Sequence, residues 1–465
     1  MGANPTPAVW LLAGAAIAAF PQFVPAQPSS GPDILYADVT SASTYGPIAG
    51  IRAYVFDTAT CNMGDTDIAW ISNGSPGVGF NLYRLHDGRL IQIGQSWTKV
   101  ACCAAPMGGC GLPCNGGGGD ILGSGCRDVY SSAWNATQVR LMPRSQVNPW
   151  TAQFGSIPSF SGNAVDRRLQ VAQADLLASS FPGAIYIAEG VYVATGEAGP
   201  ATKHNNASYR IANINQATFQ MTFAGMPPMA QGIPAIQAWH DHGLGPNTPD
   251  PSVVVQQVDV PEEGRFWVAH KTADNGDGTW RYEYAVFNLN SHVSGGSFSI
   301  PVPEGVSVSN VGFHDVNYHS GEPYDNTDWV VQVGSGSVTW RSPQTFAQNP
   351  NTNALRWGTM YNFWFDADAE PTEGQATLGL FRPYTPDSVQ FAAAVPSAAG
   401  GGGCATDFNG DLVVNSTDIS AFLSAWLLSI NEGTMDADFN GDLTVNSSDI
   451  SAFLTVWLEE VNEGC

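Results

Sequence analysis

The segment Asp407–Leu427 (DFNGDLVVNSTDISAFLSAWL) recurs 31 residues later as Asp438–Leu458 (DFNGDLTVNSSDISAFLTVWL), with 17 of 21 positions identical. Duplication of this kind means that one supersecondary unit is used twice, and a unit this short cannot bury its apolar side chains alone. Each copy opens with side-chain oxygens at loop positions 1, 3, 5, 9 and 12. They are Asp407, Asn409, Asp411, Asn415 and Asp418, then Asp438, Asn440, Asp442, Asn446 and Asp449. A hard cation such as Ca2+ takes about six to eight oxygens, and alternating ligands in a tight loop direct every second side chain inward. Position 7 would add a backbone carbonyl, from Val413 and Thr444. Three carboxylates leave a loop at about −1 once Ca2+ is bound, so residual repulsion is small. Two such loops predict two ions.

After position 12 the apolar pattern changes to helical spacing. Ile419, Phe422, Leu423, Trp426 and Leu427 fall at i, i+3, i+4, i+7 and i+8, as do Ile450, Phe453, Leu454, Trp457 and Leu458. The two loop-helix units are expected to bury these stripes against each other. Residues 404–465 carry eleven acidic side chains and no Lys or Arg. An acidic tail can be a solvated arm, but regular Leu, Ile, Phe and Trp favour a folded cation-binding module.

At these residues the sequence resembles the type I dockerin family, which carries paired D-x-N-x-D-G-x-x-N-S-x-D loops, each followed by one helix. The resemblance spans Cys404 to Cys465. It implies a module that folds on Ca2+ and docks onto a β-sandwich partner called cohesin, usually anchoring a secreted polysaccharide-degrading enzyme to a scaffold. It also implies that partner recognition falls on Ser416-Thr417 and Ser447-Ser448. Family members hold their two ends close, so a Cys404–Cys465 disulfide is expected to clip the module. One departure is systematic: the glycine of position 6 is Leu412 in one copy and Leu443 in the other. A left-handed turn there costs a non-glycine residue about 1–2 kcal/mol. Weaker Ca2+ binding, or a loop that bends differently, follows.

Charge narrows the partners of the whole chain. Among 465 residues, 41 acids against 17 Lys and Arg give a net charge of −24, of which the C-terminal 62 residues hold −11. Binding to nucleic acid needs clustered cations, so it is excluded, and anionic membranes are disfavoured for the same reason. Residues 1–26 lack any charge, and Val9–Phe20 is apolar but too short to span a bilayer. Val24-Pro25-Ala26 follows with small residues at −3 and −1, so a secretory signal cleaved after Ala26 is expected. The mature protein is then secreted, extracellular or held at a cell surface, with no transmembrane segment.

Eight cysteines agree with an oxidising compartment. Cys61, Cys102, Cys103, Cys110, Cys114 and Cys126 lie in the N-terminal part, four of them in the Gly-rich loop from Cys103 to Cys126. Neither C-x-x-C nor a nearby histidine supports zinc, so disulfides are favoured, with fifteen pairings open.

The body between residues 33 and 396 reads as short strand-like runs separated by Gly, Asn and Asp turns. Examples are Asp33–Thr40, Ile51–Thr58, Phe80–Leu85 with Leu90–Ile93, Ile185–Ala194, and Arg265–His270 with Thr279–Asn288 around Asp274–Gly278. This spacing predicts a mainly β, antiparallel, sandwich-like body, and a helix only around Val165–Ala178. Pro-rich stretches near residues 225–250 divide it into a Cys-containing β-rich domain, 27–235, and a sandwich-like domain, 236–395. PSAAGGGG, residues 396–403, is a flexible linker to the dockerin-like domain, 404–465.

The body is similar to uncharacterised secreted bacterial proteins that carry such a module, in GQSWTK (94–99), NNASYR (205–210) and NALRWGTMYNFWF (353–365). That likeness supplies no catalytic residue. G-x-S-x-G, G-x-x-x-x-G-K-[ST] and H-E-x-x-H are missing. His240-Asp241-His242 and His314-Asp315 with His319 and Glu322 would bind a transition metal only if they converged. Trp280, Tyr282 and Tyr284 alternate, as a sugar-stacking platform would, but such a stripe more often faces a sandwich core. Asp274–Gly278 is a second Ca2+ candidate that a hairpin turn explains more simply. Two functions stay open. One is a non-catalytic β-rich binding or surface protein, with polysaccharide as a ligand, tethered to a cohesin-like protein or other surface scaffold. The other is a polysaccharide-active hydrolase carrying the same module.

Overall fold

The computed structural model describes residues 28–71, 74–197, 199–334, 336–398, 404–411 and 413–463. The expected signal segment, linker residues 399–403, Leu412 and Cys465, and with it the expected Cys404–Cys465 bridge, lie outside the described residues.

The chain is mainly β, with antiparallel sheets, and its two long helices belong to the C-terminal module. A nine-stranded sheet dominates residues 42–222. It runs Met221–Thr222, Ala207–Ile214, Ile185–Val193, Gly77–His86, Arg89–Val100, Leu169–Ala172, Ile51–Phe56 and Ala42–Ile48, with Leu141–Met142 added beside Arg89–Val100. A bridge between Ser41 and Thr222 joins its two edges, so the sheet curls around a core that includes Tyr36, Tyr54, Phe56, Phe80, Leu169 and Phe223.

Residues 254–396 form two five-stranded sheets. One holds Val254–Val260, Gly264–Asp274, Trp280–Asn288, Met360–Ala367 and Val308–His314; the other holds Val330–Gly334, Gly336–Arg341, Gly295–Val302, Pro371–Leu380 and Ser388–Pro396. Their facing aromatics, among them Phe298, Trp340, Phe363 and Phe365, fill the space between them. Tyr282 and Tyr284 belong to this core, with Trp280 packed at its edge, so the alternating aromatic stripe holds the sandwich together. A third apolar cluster joins Tyr83, Leu90, Ile187 and Trp239 to Trp267, Phe287 and Met360, crossing residues 235/236. Strands Gly77–His86 and Arg89–Val100 are therefore covered on both faces, and they read as nearly continuous buried runs.

The helix expected at Val165–Ala178 is not formed. Leu169–Ala172 is a strand, followed by the single turn Gln173–Leu176. Leu169 and Val171 point into the first core while Gln170 does not, and the strand pairs with both Arg52–Tyr54 and Gly94–Gln95. Two ladders outweigh the weak helical propensity of the segment. Gly94 permits the approach, because a Cβ there would lie 2.4 Å from the Gln170 carbonyl oxygen. Disulfides close Cys61 to Cys110, Cys102 to Cys103, and Cys114 to Cys126.

Candidate metal centre

The C-terminal module is built on two matching helices, Ser416–Glu432 and Ser447–Glu463. Phe422 and Phe453 stack face to face at 4.2 Å, with Phe408 and Phe439 against their edges. Each tryptophan reaches across to the other unit: Trp426 Nε1 donates to the Asn446 carbonyl at 2.8 Å, and Trp457 Nε1 to the Asn415 carbonyl at 3.0 Å. Each helix thus fixes the end of the opposite loop.

In the first loop, carboxylate oxygens of Asp407, Asp411 and Asp418 lie within 4.8 Å of one another, and among the described residues this is the one such group of His, Cys, Asp or Glu. Asp418 is fully buried and locked by the N–H groups of Asn409 (3.1 Å) and Asn415 (2.8 Å). Asn409 Nδ2 donates to Asp411 and to Thr417. The second loop repeats the pattern: Asp449 accepts from Asn440 (3.2 Å) and Asn446 (2.9 Å), Asp442 N–H meets Asp438, and Asn440 Nδ2 reaches Asp442 and Ser448. Three carboxylates crowded this way repel each other unless a cation lies between them, so the donor set fits a hard divalent ion.

The other expected ligands are placed less directly. Asn415 caps its helix, accepting from Thr417 N–H, while its Nδ2 donates to the Val413 carbonyl. Asn446 does the same with Ser448 N–H and the Thr444 carbonyl. Ser416, Thr417, Ser447 and Ser448 are exposed at the two helix starts. Gly410 and Gly441 turn left-handed at position 4, and Leu443 follows at position 6 with φ 65°.

The two apolar stripes pack against each other as expected through Phe422 and Phe453, while Leu427 and Leu458 are 57% and 55% exposed and Leu423 is 36% exposed. The shared cluster takes Ile419, Phe422 and Trp426 from one stripe and Ile450, Phe453, Leu454 and Trp457 from the other. Leu423, Leu427 and Leu458 are left as exposed apolar surface, as are Leu428 and Ile430.

The histidines of the body do not assemble a second centre. His314 Nε2 donates to the Gln92 carbonyl at 3.0 Å and His319 Nε2 to the Gln95 carbonyl at 2.8 Å, each pinning one strand edge. Burial keeps both neutral, with His319 pushed down to about 4. His240 sits beside Asp241, and His242 Nδ1 accepts from Asn247 N–H. Glu322 takes the N–H groups of Arg144 and Ser145. Asp274–Gly278 is an exposed hairpin turn whose aspartates cap their own loop.

Among the described residues, no helix is long and apolar enough to cross a membrane. None of the curated proteins matches this chain. A serine-rich repeat adhesion glycoprotein of Streptococcus agalactiae aligns over 74% of this chain and 89% of its own, at 10% identity and a TM-score of 0.19. The exo-chitosanase of Amycolatopsis orientalis aligns over 77% and 26%, at 11% identity and a TM-score of 0.16. Likenesses this faint carry no conclusion about the body. The model of the type I dockerin domain, in contrast, matches residues 405–453. The segment that carries the paired acidic loops belongs to the type I dockerin family.

Proposed function

We propose that this chain is a secreted, non-catalytic β-rich binding or surface protein, held on a cohesin-bearing scaffold by a dockerin module that takes one Ca2+ in each loop. The observation that carries the tethering is the convergence of Asp407, Asp411 and Asp418, with the same hydrogen-bond pattern repeated around Asp449. Ion binding relieves carboxylate repulsion and fixes the loops from which both helices start, so metal and fold are coupled. The exposed leucines of the two helices, with Ser416-Thr417 and Ser447-Ser448 exposed at the helix starts, would give the partner apolar surface and hydroxyls to bind. A Cys404–Cys465 bridge would close the module at its ends. Calcium titration of the chelated protein should raise the helical circular-dichroism signal, and immobilised cohesin should retain the chain in Ca2+ and release it in chelator. A helical signal unchanged from chelator to millimolar Ca2+ refutes the coupling.

One observation favours the enzymatic alternative. Burial pushes the Asp315 carboxyl up to about 6, in the range of a general acid, and it lines a cavity shared with Asp175. That cavity measures about 130 Å3, below the ~300 Å3 at which small-molecule sites begin, and Asp175 is bound to Arg84. The geometry therefore supports the non-catalytic reading. Release of reducing ends from polysaccharide by the full chain, abolished in Asp315→Asn, would reverse it.

A further inference from the structure

We propose that the cleft beside the hairpin turn His86–Arg89 binds an acidic saccharide, with Arg84 and Arg89 recognising the carboxylate of a uronate unit. The assignment rests on the body being a binding protein and names what it binds. The cleft holds about 410 Å3, within the ~300–1,000 Å3 of small-molecule sites. Arg84, Arg89 and Arg281 enter it from three different strands. In a chain with 41 acids and 17 Lys and Arg, three guanidinium groups gather at one cleft, each held by a carboxylate: Arg84 by Asp175, Arg89 by Glu283 and Arg281 by Asp366.

The arginines are set before any ligand arrives. Arg84 lies 3.3 Å over the Phe181 ring and donates Nη1 to Asp175 at 2.8 Å. Arg89 lies 3.9 Å over the Trp364 ring and forks onto Glu283 through Nε, at 2.7 Å, and Nη2. Trp364 can cover its neighbouring strand because Gly312 stands there; a Cβ at that position would meet the indole at 2.0 Å. Stacked, ion-paired side chains have little rotamer freedom left to lose on binding.

Those bonds leave Arg84 Nη2 and Arg89 Nη1 with no hydrogen-bond partner among the described residues. Free guanidinium N–H groups match a planar carboxylate better than a lone hydroxyl. Asp87 and Glu283 add acceptors, which suit sugar hydroxyls and would be of no use to a bare anion. Ile91 and Phe313 supply apolar surface for the C–H face of a pyranose. Donors for an acid, acceptors for hydroxyls and an apolar wall together describe a uronate.

Trigalacturonate is the probe, titrated calorimetrically into the full chain at low ionic strength. Saturable binding is expected, weakened by added salt and about tenfold by Arg84→Gln or Arg89→Gln. These arginines also hold Asp175 and Glu283, so the decisive arm leaves the protein unaltered and uses the methyl-esterified trimer, which should bind at least tenfold more weakly. Equal affinity for acid and ester, or no binding of the acid at millimolar concentration, overturns the proposal. New reducing ends in the same samples would refute the non-catalytic reading and leave the cleft assignment standing.

Discussion

Replacing Leu443 by glycine should tighten calcium binding at the second loop. Leu443 holds φ 65° while its N–H donates to Asp438 Oδ2 at 2.8 Å, so the left-handed turn is part of the arrangement that gathers the carboxylates. That conformation costs an L side chain about 1–2 kcal/mol. Glycine avoids the cost but loses about 0.5–1 kcal/mol more in backbone entropy on ordering. Leu443 is 78% exposed, so deleting its side chain forfeits little burial. The balance favours glycine by roughly 0.5–1 kcal/mol, and at 1.4 kcal/mol per decade this is about two- to fivefold in affinity. Calcium titration followed by far-ultraviolet circular dichroism reads it directly. Leu443→Ala is the control, because alanine keeps the strained φ and should bind no better than the natural residue. If Leu443→Gly binds calcium equally or more weakly, or if Leu443→Ala gains as much, backbone strain does not limit the site.

Three further outcomes follow from packing and titration. Phe422→Ala removes one ring of the stacked pair and should cost about 3–5 kcal/mol, enough that the helical signal stays low in saturating Ca2+. Trp457→Phe deletes the bond to the Asn415 carbonyl and trims the packed indole to one ring, so the thermal midpoint of the calcium-loaded module should fall by the equivalent of about 1–3 kcal/mol, with the helices retained. Burial raises the Asp315 carboxyl to about 6 from an unfolded value near 4, so the folded state holds its proton more tightly. Stability from this group is then complete below about pH 4 and lost as pH rises through about 6. Asp315→Asn cannot ionise, so urea unfolding should show it equal to the parent near pH 4 and up to about 3 kcal/mol more stable at pH 7; an equal gap at both pH values would rule this out.

The module was readable because its chemistry is local. All five side-chain oxygens of a loop fall within twelve residues, and the helix that follows announces itself by spacing, so Asp407, Asp411 and Asp418 converge as the spacing required. What spacing does not contain is how much of a stripe a second helix will cover, hence the exposed Leu427 and Leu458. In the body, strand positions followed from alternation and turn residues. The segment 169–176 misled because its pattern fits either period, and partners from residues 51–56 and 89–100 decided the matter. Nor do the cleft arginines share a motif: Arg84, Arg89 and Arg281 meet across nearly 200 positions of sequence.

Two buried charges of this body, Arg144 and Glu189, mark a joint between its parts. Arg144 is almost wholly buried, yet Nε reaches the Ser96 carbonyl, Nη1 the Gly358 carbonyl, and Nη2 both the Phe80 carbonyl and Asn81. Glu189, equally buried, accepts from Asn81, Tyr83 and the Ala235 N–H. Every nitrogen of that guanidinium and both oxygens of that carboxylate are occupied, and Gly358 ties them to the sandwich. Breaking any one of these bonds strands its partner at about 1–3 kcal/mol or more. The curled sheet and the sandwich are thus fixed to each other by polar groups that only a few arrangements can satisfy. The cleft arginines differ in leaving a whole guanidinium nitrogen without a hydrogen bond among the described residues, Nη2 of Arg84 and Nη1 of Arg89, in residues that line an open cleft.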